Sequence, residues 1–137
     1  MITNLLRSTI LIVIPFVAGC GGSSVAMLKG RLVDNGQPFA LPPGAGNVGI
    51  VFELLDAEGN PVGLKMYIAL VNHDGTFAVV ASGGELPVGE YRVGIDGNSA
   101  KVPQFGLFLL PVTKAKITLK PGSNDVNFDL AKPNGER

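Results

Sequence analysis

The sequence is poor in the residues that most often carry chemistry. Its 137 residues include one cysteine, one histidine, no tryptophan and two tyrosines. A lone cysteine closes no intramolecular disulfide, so the fold must rest on its core. His73 and Cys20 do not make up the ligand set of a zinc site. A nucleophilic triad would need His73 with a serine, yet Ser82, Ser99 and Ser123 lie in turn-like sequence without an activating neighbour. Asp56, Glu58 and Asn60 imitate the start of a calcium loop, but position 12 of that loop would be Tyr67 instead of a bidentate acid. Basic and acidic residues balance at 11 each with no basic stripe, which argues against nucleic acid as a partner. The missing tryptophan lowers a sugar-binding reading, and nothing suggests the paired carboxylates of glycoside cleavage. No catalytic residue, metal or cofactor is expected, and the chain reads as a non-enzyme.

A long apolar run is also missing. Residues 8–18 are apolar but fall short of the ~20 residues that cross a membrane as a helix. They follow Arg7, in the layout of a secretory signal peptide. The run ends at Val17-Ala18-Gly19-Cys20, which resembles the lipobox of bacterial lipoproteins. The resemblance implies a diacylglycerol thioether on Cys20 and cleavage between Gly19 and Cys20. Two acyl signals make such an anchor lasting, at about 0.8 kcal/mol per buried methylene. Gly21-Gly22-Ser23-Ser24 then reads as a flexible tether. The competing reading makes Cys20 a core cysteine after an N-terminal strand. The expected organisation is a signal peptide over 1–19, lipidated cysteine and tether over 20–24, one domain over 25–132 and a tail over 133–137. The address is the cell envelope, with the membrane as one partner through Cys20. Gly21 stands where some inner-membrane lipoproteins carry aspartate, so the outer membrane is preferred.

Helical periodicity is absent after residue 24, and period-2 alternation replaces it. The 19 glycines and 10 prolines punctuate short strands. Strands are expected over 25–33, 48–55, 64–71, 76–80, 90–96, 116–120 and 126–130. Ile50, Phe52 and Leu54 share one face, as do Leu64, Met66, Ile68 and Leu70, and Tyr91, Val93 and Ile95. Asp34-Asn35-Gly36, His73-Asp74-Gly75 and Pro121-Gly122-Ser123-Asn124 mark turns. Seven strands with polar outer faces predict an all-β antiparallel sandwich.

Four phrases occur in order: KGRLVDNGQPF (29–39), GIVFELLDAEGNPV (49–62), NHDGTFAV (72–79) and LPVGEYRVGI (86–95). Together they resemble small lipoproteins of planctomycete-type bacteria with a carboxypeptidase-regulatory-like or transthyretin-like domain. The resemblance implies a seven-stranded, prealbumin-like Greek-key sandwich without catalytic activity, and it supplies no ligand. Pro87 and Gly89 form a corner before Tyr91, whose ring is expected to be buried and its hydroxyl bonded to nearby backbone. Gly75 is expected to supply positive φ. The chain departs from the family at residues 97–115, where Phe105, Leu107, Phe108, Leu109 and Leu110 cluster between two prolines. One reading is an extra or edge strand packed on the core. The other is an exposed apolar patch for a partner or the membrane surface. The leading expectation is a lipid-anchored structural or protein-interaction module, with glycan or peptide binding as the alternative and an unrecognised carboxylate enzyme as a remote one.

Overall fold

The computed structural model describes residues 25–79, 85–96, 102–110 and 113–133. Gly19 and Cys20, with the whole of segment 1–24, lie outside the described residues. The described residues form nine strands in one curled, mainly antiparallel sheet. These are β1 (Val25–Asp34), β2 (Gln37–Pro38), β3 (Gly49–Leu55), β4 (Pro61–Val71), β5 (Thr76–Val79), β6 (Glu85–Pro87), β7 (Gly89–Ile95), β8 (Lys116–Leu119) and β9 (Gly122–Asp129). Seven match the strands expected from alternation, and the short β2 and β6 are additional. The all-β class therefore stands. The count of seven does not, because two- and three-residue strands are too short to show a period.

Strand β1 organises the sheet. One of its edges carries β9 in parallel along eight positions, from Ala26↔Gly122 to Val33↔Asp129. Its other edge carries β6, β5 and β2 in succession, all antiparallel. From β5 the sheet continues through β4, β3 and β7 to β8. Local sequence explains the tight links. Asn35 (φ 50°) and Gly36 (φ 77°) make the two-residue turn into β2, where both central residues need positive φ. Gly75 (φ 82°) closes the turn before β5, and a Cβ there would sit 2.0 Å from the Phe39 carbonyl oxygen.

The concave side of the sheet holds the core, built from alternate residues such as Leu28, Leu32, Ile50, Phe52, Phe77, Val93, Ile95 and Leu119. The mouth is closed by a 3₁₀ helix, Pro103–Phe108. Val102 is extended (φ −97°, ψ 112°), as a residue before proline prefers. Three residues per turn put Phe105 and Phe108 on one face, and both are fully buried. Phe108 packs edge-on against Phe128 at 4.8 Å between ring centroids, and Phe105 against Phe39 at 6.1 Å. Burial of each phenylalanine stabilises by about 1.5–3 kcal/mol. The expected extra strand is thus a 3₁₀ helix that packs on the core, touching the ladder at an isolated Leu109↔Ile95 bridge.

Candidate interaction surface

The expected patch over 105–110 is overturned at its two aromatic members, because Phe105 and Phe108 point inward. Leu109 and Leu110 are half-buried, and only Leu107 stands out. Leu110 rests where Gly94 has no side chain: a Cβ on Gly94 would meet it at 2.5 Å. The corner residues do come together. Tyr91 is buried and donates its hydroxyl to the Pro87 carbonyl at 2.6 Å, and its ring meets Tyr67 edge-on at 6.2 Å. The bond ties β7 to the end of β6 across a change of partner, since β6 pairs with β1 and β7 with β3.

The polar turns are occupied by their own backbone. Asp56 Oδ1 accepts from Glu58 N at 3.0 Å and Asn60 N at 2.8 Å. Asp74 Oδ1 accepts from Thr76 N at 3.0 Å and from the Thr76 hydroxyl at 2.6 Å. That hydroxyl bond holds the Asp74 carboxyl below the usual aspartate range. Both are turn chemistry. Among the described residues no three His, Cys, Asp or Glu side chains converge.

Among the described residues, the most exposed apolar surface lies on β4. Leu64, Met66, Ile68 and Leu70 face outward, at 91%, 48%, 50% and 60% exposure, while Tyr67, Ala69 and Val71 of the same strand face the core. With polar outer faces expected, the alternation turns that apolar face of β4 to the core; the structure corrects this and turns it to water. The β3–β4 register decides it. Leu55 pairs with Pro61 and Glu53 with Met66, so two steps along β3 match five along β4. The three extra residues form a bulge around Gly63 (φ 58°). An odd insertion inverts the faces of everything beyond it. Continued without a bulge, the ladder would set Leu64 opposite Phe52 and Met66 opposite Ile50, inside the core. With the bulge, Tyr67 and Ala69 take those places. Gly63 inside a strand pattern was the available sequence signal.

The outward residues from Leu64 to Leu70 span about 20 Å at the rise of a strand. One end meets the cross-strand pair Glu53–Arg92, in which Arg92 Nε donates to Glu53 Oε2 at 2.7 Å and Nη2 donates to the same oxygen. The other end adjoins exposed Ala78, which pairs with Leu70. The stripe is therefore continuous and apolar, with the Glu53–Arg92 pair beside Met66, the pattern of a contact surface.

No family model matches the chain, and no curated protein matches it. A solved structure, a DUF3823 family protein from Parabacteroides merdae, is similar at 23% identity and a TM-score of 0.45. The similarity covers 77% of this chain and 44% of that one, so the chain spans less than half of the neighbour's length.

Proposed function

We propose that this chain is a lipid-anchored, non-catalytic β-sandwich module of the bacterial cell envelope that works by binding a protein. The observation that carries the binding role is the outward stripe of Leu64, Met66, Ile68 and Leu70. Four large apolar side chains in a row on one strand are a steady cost in water unless something covers them. The anchor and the envelope address rest on the lipobox-like Val17-Ala18-Gly19-Cys20. The carboxypeptidase-regulatory-like resemblance adds the Greek-key reading of the curled sheet. A photo-crosslinking residue at Ile68 in native membranes tests the role. A crosslinked protein is expected. Crosslinks to lipid alone, or none, would leave the stripe without a protein partner and remove the proposal's support.

Glycan or peptide binding is the second reading. The observation in its favour is an open cleft of about 850 Å³ between β8 and β9.

A further inference from the structure

The two end strands of the curled sheet face each other without pairing. β8 and β9 are consecutive and joined at residues 120–121, yet among the described residues β8 pairs only with β7 and β9 only with β1. The bonding alternation identifies which backbone groups are left over. Val93 N donates to Ala115 O at 2.8 Å, so odd residues of β8 bond to β7, and Lys116 and Thr118 turn their N–H and C=O toward the cleft. Leu130 N donates to Val33 O at 2.8 Å, so even residues of β9 bond to β1, and Ser123, Asp125 and Asn127 turn theirs toward the cleft. Among the described residues these groups have no strand partner.

A second observation comes from the closed end of the cleft. There a side-chain amide already occupies the place of a strand. Lys120 N donates to Asn124 Oδ1 at 3.0 Å, and Asn124 Nδ2 donates to Lys120 O at 2.8 Å. One amide group thus satisfies both backbone groups of Lys120, the residue after β8, as a neighbouring peptide unit would, and its Nδ2 also donates to Gly122 O at 3.0 Å. Beyond this rung the seam is open. Inside the cleft lie Ile117, Val126 and Phe128, and its rim carries both charge signs, including Lys116 and Asp125.

We propose that the β8–β9 seam is an acceptor for an extended peptide segment of a partner protein, which enters as an additional strand and joins the two edges. Strand addition of this kind takes affinity from main-chain bonds and selectivity from alternate side chains. Through the ladder β8–β7–β3–β4–β5–β1–β9, the two edges run antiparallel to each other. The guest strand is therefore parallel to one edge and antiparallel to the other. Its inward residues are apolar, to meet Ile117 and Val126, and it contains no proline within the paired stretch. This site is distinct from the β4 stripe and does not depend on the lipid anchor.

The test pans a random ten-residue display library against the full chain in detergent and maps the selected peptide by amide hydrogen exchange. Selected peptides are expected to alternate apolar and polar residues and to slow exchange at Lys116, Thr118, Ser123, Asp125 and Asn127. N-methylation at alternate peptide residues on one edge is expected to weaken binding at least tenfold. Thr118→Pro removes an N–H that faces the cleft and not β7, and is expected to have the same effect. If that variant does not fold, the N-methylated peptide carries the test. An absence of selected peptides overturns the proposal. So does protection confined to β4, or binding that tolerates N-methylation. Protection of both edges by self-association without peptide would assign the seam to a second copy and equally overturn it.

Discussion

Tyr91 couples a corner of the chain to the core, and burial displaces its phenol from ordinary acid–base behaviour. Burial pushes its pKa up from 10.0 to about 12, with nearby Tyr67 adding a smaller push. The unfolded chain therefore ionises this phenol first as pH rises. The stabilisation is intact below pH 10.0 and is lost as pH climbs toward about 12. Denaturant midpoints across that interval should fall more steeply for the native chain than for Tyr91→Phe. At neutral pH the same substitution should cost about 1–3 kcal/mol, because the Pro87 carbonyl loses its buried donor. Gly30 makes a different demand. A Cβ there would lie 2.2 Å from the Val126 carbonyl oxygen and 2.5 Å from the Phe77 ring. Gly30→Ala should therefore destabilise by ~2 kcal/mol through overpacking, read by urea unfolding.

At the scale of the element, β4 offers the sharpest contrast between neighbours. Ile68 and Ala69 are adjacent, and the bulge sends one to solvent and the other to the core. Ile68→Lys should change unfolding free energy by no more than about 0.5 kcal/mol. Ala69→Lys should prevent stable folding, because it buries an unpaired charge among Ile50 and its neighbours. Thermal melts of the pair decide the matter, and equal losses would mean that the face is assigned wrongly. The 3₁₀ helix has the opposite character to β4. Its apolar residues were candidates for contact, but spacing of three directs Phe105 and Phe108 to the core.

At the scale of the whole molecule, the curled sheet leaves two surfaces unfinished among the described residues, the stripe on β4 and the seam between β8 and β9. A tethered module with such surfaces would act near the membrane, and the tether has a direct test. The intact mass of protein extracted from its native membrane should match residues 20–137 with a diacylglycerol on Cys20. An unmodified full-length mass would remove the anchor and the envelope address that follows from it.

Much of this protein is legible in its sequence because it is local. Asn35-Gly36 and Gly75 announce turns that need positive φ, and alternation places Ile50, Phe52, Val93 and Ile95 in the core. Three features belong to the tertiary structure alone. Which face of β4 meets water depends on an odd-length bulge, and period-2 alternation carries no information about parity once the register shifts. Whether 103–108 is strand or 3₁₀ helix depends on Phe39 and Phe128, which are distant in sequence. The parallel pairing of β9 with β1 joins residues almost a hundred positions apart, and with the β7–β8 pairing it leaves edges of β8 and β9 facing each other unpaired. Local sequence determined the seven longer strands and the tight turns. Long-range pairing decided which apolar residues and which backbone groups were left for something else to cover.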